Sequence, residues 1–150
     1  AEEKIKQEME ITSHLLASTL HDIGKIGTYE HLLDKPDKLT DEEFELIKAH
    51  PAKGAEILKQ IKALKDVIPI VRAHHENTDG TGYPDGLKGN NIPLLARIVH
   101  VVDSFDAMTT DRPYRTSFDR GYALKELKRY AGAQFDTEVV KAFLKTGCKR

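Results

Sequence analysis

The chain has 150 residues, a formal net charge of −1 at pH 7 and a single cysteine, Cys148. This length suits one domain with one core, and the near-neutral charge excludes the broad basic surface that binds nucleic-acid polymers non-specifically. A single cysteine cannot form an intramolecular disulfide, and no apolar run approaches the roughly 18 residues of a membrane span, so we expect a cytoplasmic protein with no membrane insertion in this segment.

The first predicted element is an amphipathic helix. Apolar side chains recur at spacings of three and four between residues 5 and 23, so this helix leads directly into the adjacent pair His21 and Asp22. Gly24 marks the end of the helix. Residues 30–39 are predicted to form a connection with one helical turn.

The next helices have recognisable starts. Thr40 and Glu43 have the spacing of a capping box, in which the threonine hydroxyl and the glutamate carboxylate each accept a backbone N–H of the other residue. Pro51 either starts a new helix or kinks the one that begins at the box. Asp66 is a candidate cap for a short helix over Val67–His75.

A long helix follows Pro93, which suits a first helical turn. The residues from Leu94 to Phe105 are apolar nearly all round, which predicts a central, buried helix. Asp103 lies within it, and a buried acid costs several kcal/mol unless it is paired or bound to a metal. The sequence leaves two partners open for Asp103, a metal ion or Arg97 on the same helix.

Two further helices complete the prediction. One spans about Phe118 to Ala131, and its expected inward residues are Ala123, Leu124, Leu127 and Tyr130. The other is capped by Asp136, and its expected inward residues are Val139, Val140, Phe143 and Leu144. No stretch alternates as a strand would and no repeat is present, so the sequence predicts an all-α domain.

The stretch from His74 to Pro84 combines features that neither a packed helix nor a solvated loop needs. Two adjacent histidines are followed at once by a glycine- and acid-rich loop. This predicts ligands at the end of a rigid element, beside a backbone that turns tightly. Glu76 and Asp79 are interpreted as turn-forming groups or as groups that orient His75, while His31 and His100 have no identifiable partner.

Six residues are candidate metal ligands by type: His21, Asp22, His50, His74, His75 and Asp103. Nitrogen and oxygen donors without a thiolate suit iron or manganese, allow zinc, nickel or magnesium, and argue against a structural zinc site. In an adjacent His-Asp pair the carboxylate can bridge two metals, which together activate a water and clamp a phosphoryl group. Lys25 is placed to hold a phosphate oxygen. Alone, His50 would be interpreted as an ordinary helix-end histidine.

These motifs resemble the HD-GYP family, a branch of the HD metal-dependent phosphohydrolases. The resemblance rests on the segments His21–Lys25, His74–Pro84, Val102–Ala107 and Asp111–Arg115, and it covers nearly the whole chain from about Leu16. It implies an HD-domain helical bundle with a C-terminal HD-GYP helical extension. It further implies hydrolysis of cyclic di-GMP at a two- or three-metal centre, which yields the linear dinucleotide pGpG and, in some members, GMP.

The resemblance also implies roles for individual residues. The metal ligands would be the six candidates given above, with His21, Asp22 and Lys25 at the catalytic centre. The substrate-binding residues would be Lys25, Arg112 and Arg115 at the phosphates and Gly82, Tyr83 and Pro84 in the lip that names the family. Without the resemblance, Arg112 and Arg115 would be interpreted as solvated surface charge.

One departure from the family pattern concerns the beginning of the chain. Family members carry a further ligand histidine well upstream of the His-Asp pair, whereas here only His14 precedes it, at the wrong distance. We therefore expect residues 1–150 to form an HD-GYP domain without its most N-terminal helices, which folds and binds metal but turns over poorly. A preceding sensor or receiver domain, GGDEF-type signalling partners and a homodimer are further expectations.

Two alternative functions stay open at this point. A catalytically weak cyclic di-GMP receptor or protein-interaction module would keep the pocket without hydrolysis. An HD phosphohydrolase acting on a mononucleotide is disfavoured, because the lip and the two arginines suit a larger ligand with two phosphates.

Overall fold

The computed structural model describes residues 7, 11, 15–26 and 30–147. His14, Cys148 and most of the predicted helix before residue 15 lie outside these residues. The described part of the chain is helical, with two isolated β-bridges and no strand, so the prediction of an all-α domain is confirmed. None of its helices is both long and apolar enough to cross a membrane.

The described α-helices are α1 (residues 15–20), α2 (Glu30–Leu33), α3 (Asp41–Lys48), α4 (His50–Leu58), α5 (Ile68–Ala73), α6 (Leu94–Thr109), α7 (Arg120–Arg129) and α8 (Thr137–Gly147). Short 3-10 turns lie at Ile23–Lys25, Lys62–Leu64 and Gly89–Asn91. The predicted helical turn in residues 30–39 is α2. Pro51 lies in the first turn of α4, so it starts a new helix rather than kinking α3.

Side-chain caps define several of these helix starts. The Thr40 hydroxyl accepts the Glu43 N–H at 3.2 Å and the Glu43 carboxylate accepts the Thr40 N–H at 2.8 Å, which confirms the capping box. Asp136 accepts two backbone N–H groups at the start of α8, as predicted. The expected cap at Asp66 is wrong, because α5 begins one residue later than predicted, with Val67 as its N-cap and no side-chain hydrogen bond.

The helices enclose two hydrophobic clusters. The first includes Ala17, Leu58, Ile70, Val71, Ile92, Ala96 and Val99, and the second consists of Val101, Leu127, Phe135 and Val140. Helix α6 contributes to both and packs against α5, α7 and α8, so its central position is confirmed. Its predicted burial on all sides is wrong, because these neighbours cover one side and leave Leu94 53% and Val102 46% exposed.

The inward residues of the last two helices are mostly as predicted. Ala123, Leu127 and Val140 are buried. Tyr130 is 39% exposed rather than inward, because α7 ends at Arg129 and the tyrosine lies in the following turn, where its ring is 5.4 Å from the Arg129 guanidinium carbon.

Two close backbone contacts position the functional residues. A Cβ atom on Gly24 would lie 2.6 Å from the Gly54 nitrogen and closer still to the His50 carbonyl oxygen, so only glycine lets the 3-10 turn rest on α4. The turn between α7 and α8 holds the glycine-rich loop, because the Thr78 and Asp79 N–H groups donate to backbone carbonyls of residues 134 and 133.

Candidate metal centre

All six candidate ligands converge, although they come from four parts of the fold. His21 and Asp22 follow α1, His50 begins α4, His74 and His75 follow α5, and Asp103 lies within α6. Their donor atoms form two groups, and within each group all the atoms lie within 4.8 Å of one another: Asp22, His50, His74 and His75, and His21, Asp22 and Asp103. Asp22 is the one member common to both groups.

Backbone hydrogen bonds orient three of the imidazoles in the same way. In His21, His50 and His74, Nδ1 donates to the carbonyl oxygen three residues earlier, which belongs to Ser18 (2.5 Å), Ile47 (2.7 Å) and Val71 (2.6 Å), respectively. A carbonyl can only accept, so the proton of each neutral ring is on Nδ1 and the lone pair is on Nε2. Each Nε2 faces the other candidate ligands.

The lone pairs of several candidate ligands point at one another, and a cation bound between them would remove their repulsion. His50 Nε2 lies 3.2 Å from His74 Nε2 and 3.3 Å from Asp22 Oδ1, so three acceptors face one another. Asp22 Oδ1 is buried and receives no well-directed hydrogen bond in the described part of the chain, although Lys25 Nζ is 2.8 Å away. Facing acceptors repel without a positive charge between them. Neutral imidazoles and carboxylates in this arrangement fit a divalent metal ion.

The protonation states also suit metal binding. Burial lowers the pKa of His74 to about 3, and burial together with the neighbouring histidines holds the pKa of His75 well below its usual range. Burial opposes ionisation of Asp22, but its pKa is nevertheless lowered, in part by the Lys25 ammonium group beside it. Near neutral pH these imidazoles are therefore neutral and Asp22 is charged, which is the state that coordinates metals.

Asp103 is paired with the candidate ligand His21 rather than with Arg97. Its Oδ1 lies 3.2 Å from His21 Nε2, and the pKa of Asp103 is lowered because this contact outweighs the effect of burial. Burial alone would lower the pKa of His21, but Asp103 and Asp22 together raise it. Arg97 instead forms an ion pair of 2.6 Å with Asp136 and so links α6 to α8. The alternative in which Asp103 pairs with Arg97 is therefore wrong.

A cleft of about 940 Å³ opens over the convergent residues. Asp22, His50, His75 and Asp103 line it together with the predicted substrate-binding residues Lys25, Tyr83, Arg112 and Arg115. The Tyr83 ring stacks on that of His75, with centroids 5.0 Å apart and an angle of 20°. Burial, Asp103 and Asp22 raise the pKa of Tyr83 to about 12, so its hydroxyl stays a hydrogen-bond donor.

The two predicted phosphate-binding arginines differ in their surroundings. The Arg115 guanidinium donates to the carbonyl oxygens of Ala107 (2.7 Å) and Thr116 (2.9 Å) and lies 4.3 Å from the centre of the Phe118 ring. It therefore holds the end of α6 and the following loop, a structural role that sequence reasoning missed. Arg112 is exposed and has no side-chain hydrogen bond or ion pair with the described residues.

Two further buried residues, Glu76 and His100, lie near the centre. Glu76 is turn-forming, as one interpretation held: its carboxylate accepts backbone N–H groups of Asp85 and Leu87. His100, for which no partner was predicted, donates from Nδ1 to the Glu76 carbonyl oxygen at 3.0 Å and has its ring centre 6.0 Å from that of His75. Its spacing of three from Asp103 on one helix was a signal that could have indicated this position.

Known proteins resemble this chain over most of its length. The HD domain family model matches residues 2–139. The cyclic di-GMP phosphodiesterase PA4108 of Pseudomonas aeruginosa is 45% identical over 133 residues, which are 87% of this chain and 31% of that protein. The cyclic di-GMP phosphodiesterase of Thermotoga maritima is 44% identical over 147 residues, which are 97% of this chain and 40% of that protein. This chain thus spans less than half the length of either curated relative.

A solved structure shares the fold. The HDG"Y"P protein Bd1817 of Bdellovibrio bacteriovorus superposes with a TM-score of 0.69 at 26% sequence identity. The match covers 93% of this chain and 47% of that one.

Proposed function

This chain belongs to the HD domain family, and to its HD-GYP branch, and from that premise we propose that it is a metal-dependent phosphodiesterase that hydrolyses cyclic di-GMP. The observation that carries the proposal is the pair of donor groups that share Asp22 at the floor of a cleft. The products are the linear dinucleotide pGpG and, after a second hydrolysis, GMP.

The proposed metal ligands are the six convergent residues. The first group offers three imidazoles and one carboxylate, and the second offers one imidazole and two carboxylates. This mixture of donors favours iron or manganese, with zinc, nickel and magnesium as alternatives. When bound, such ions polarise phosphate oxygens and lower the pKa of a water molecule.

Residues of the chain itself supply the contacts to the phosphate. Lys25 Nζ lies beside Asp22, at 2.8 Å from Oδ1, so its ammonium group is available to a phosphate oxygen at the edge of the centre. Arg112, which also lines the cleft, contributes a guanidinium. In this proposal Lys25 and Arg112 bind the two phosphates of the ring, while Arg115 keeps the Arg112 loop in place.

The lip of Gly82, Tyr83 and Pro84 covers one side of this centre. Its tyrosine ring lies on His75 and its hydroxyl group stays protonated, so Tyr83 acts as a donor to the nucleotide rather than as a base. A Cβ atom on Gly82 would lie 2.6 Å from the Glu76 Cα, so the lip approaches the ligand segment only because this residue is glycine.

The proposal is tested by turnover. The chain is purified without oxygen, loaded with manganese or iron, and incubated separately with cyclic di-GMP and with cyclic GMP-AMP, which differs in one base. We expect pGpG to form from cyclic di-GMP, and to be lost both after chelation and in Asp22→Asn. Absence of hydrolysis by the fully loaded chain would refute the enzymatic proposal. Binding of cyclic di-GMP without hydrolysis would support the receptor alternative.

A further inference from the structure

The Glu76 carboxylate lies inside the loop that joins the paired histidines to the lip. Glu76 is buried, with 1% of its surface exposed. Its Oε1 accepts the Asp85 N–H at 2.7 Å and its Oε2 accepts the Leu87 N–H at 2.9 Å. Both carboxylate oxygens are therefore used to hold the backbone that follows Pro84.

The backbone of Glu76 is held by the helices on either side. Its N–H donates to the Ala73 carbonyl at 3.0 Å at the end of α5, and its carbonyl accepts from His100 Nδ1 at 3.0 Å on α6. Glu76 also directly follows His75 in the chain. Glu76 therefore links a backbone position held by α5 and α6, beside the candidate metal ligands, to the backbone that follows Pro84.

The lip returns to the same place through its own contacts. The Tyr83 N–H donates to the His75 carbonyl at 3.2 Å, and the Tyr83 ring stacks on the His75 ring. With Tyr83 held on His75, the chain has to turn away after Pro84, and the hydrogen bonds that Glu76 accepts from the Asp85 and Leu87 N–H groups fix where it turns. Only a side chain with two acceptor oxygens can satisfy both amides, because a glutamine would present an NH₂ group to one of them.

We propose that Glu76 is a positioning residue for substrate binding, which sets the distance of the lip from the candidate metal centre. It touches neither the cleft nor the reacting atoms and acts through Tyr83. This inference rests on the proposed function for the identity of the substrate. It goes further in assigning substrate affinity, and not metal affinity, to the third residue of the His-His-Glu sequence.

The variant Glu76→Gln tests whether Glu76 affects substrate affinity without affecting metal affinity. The candidate ligand His74 is anchored by the Val71 carbonyl and not by Glu76. We therefore expect metal content and hydrolysis of the small diester bis(p-nitrophenyl) phosphate to stay within about twofold of wild type, while KM for cyclic di-GMP rises about tenfold, the effect of one lost charged hydrogen bond.

Asp85→Asn is the matched control. It removes the partly exposed ion pair of 2.7 Å between Arg72 and Asp85 but keeps the Asp85 N–H that donates to Glu76. Exposed pairs contribute little, so KM in this variant should stay within about twofold of wild type. If Glu76→Gln does not fold, Glu76→Asp, which keeps the charge but is too short to reach both amides, carries the same expectation.

Amide hydrogen exchange at Tyr83, Asp85 and Leu87 gives a readout that does not need turnover. Exchange should be about tenfold faster in Glu76→Gln than in wild type and unchanged in Asp85→Asn. An unchanged KM, or unchanged exchange, overturns the inference, as does an equal loss of metal and of both activities. If the wild-type chain hydrolyses no cyclic di-GMP, the proposed function fails, and hydrogen exchange with the binding affinity for cyclic di-GMP then decides the role of Glu76.

Discussion

Replacement of Asp22 by asparagine should weaken metal binding in both donor groups. One carboxylate oxygen faces each group: Oδ1 lies 3.3 Å from His50 Nε2 and 3.9 Å from His74 Nε2, while Oδ2 lies 3.5 Å from His21 Nε2. The substitution keeps the shape of the side chain but removes its charge. The first group then loses its only carboxylate, and the second loses one of two.

The magnitude follows from the position of Asp22. Loss of a hydrogen-bond partner behind a metal ligand typically costs 10–100-fold in affinity, so loss of a charged ligand should cost about 100-fold or more. Asp103→Asn is the matched control, because Asp103 belongs to the second group alone and leaves the first group of four donors intact. Helix content should hardly change in either variant, since the Asp22 side chain is 39% exposed and the Asp103 side chain 28%.

The assay is metal content by mass spectrometry after loading and gel filtration, with circular dichroism as the measure of helix content. Wild type should retain metal in both groups, Asp103→Asn in the first group, and Asp22→Asn in neither at equal loading. Wild-type metal content in Asp22→Asn would refute the bridging role. Equal losses in both variants would show that the two groups do not bind independently.

Three other predictions concern residues outside the ligand set. Arg112→Ala should weaken binding of cyclic di-GMP by about 1–3 kcal/mol in calorimetry without a change in melting temperature. Arg115→Ala should also lower the melting temperature. Equal melting temperatures of the two variants would contradict the different surroundings of the two arginines. Asp136→Asn keeps the cap of α8 but loses the ion pair with Arg97, so the urea unfolding free energy at pH 7 should fall by about 1–2 kcal/mol. Because the folded state lowers the pKa of Asp136, this loss of unfolding free energy should persist at every pH above the ordinary aspartate pKa of about 4 and disappear as the pH falls through the pKa of Asp136 in the folded state. A loss that is independent of pH would exclude the charge as its cause. Gly24→Ala should cost about 3 kcal/mol or more, because its Cβ would overlap the backbone of α4, and an unchanged melting temperature would contradict this.

Features that depend on near neighbours in the chain could be predicted from the sequence. The capping box of Thr40 and Glu43 closes over three residues, and the cap of Asp136 also reaches residues within three positions. The His-Asp and His-His pairs are adjacent, so their chemistry is visible without a fold. The predicted domain limits, upstream partners and homodimer depend on more than these local patterns and stay predictions.

Contacts between side chains that lie far apart in the chain were less predictable. For Asp103 the sequence offered a metal ion or Arg97 on the same helix, and it did not indicate the contact with His21, which is 82 positions away. The contacts of Arg115 with the end of α6 could not be predicted, because they depend on the path of the following loop. The exposure of Leu94 and Val102 also depends on which helices cover α6, and an apolar sequence does not specify how many neighbours it has.

The sequence by itself determined the helical class, the capped starts of α3 and α8 and the kinds of donor atoms at the centre, because these follow from hydrogen bonds and apolar spacing over a few residues. The tertiary structure alone decided which histidines join Asp22 in each donor group and that the lone pairs of His50 and His74 face each other across 3.2 Å. Those distances depend on the packing of α4, α5 and the turn at Gly24, which comes from contacts between residues far apart in the chain.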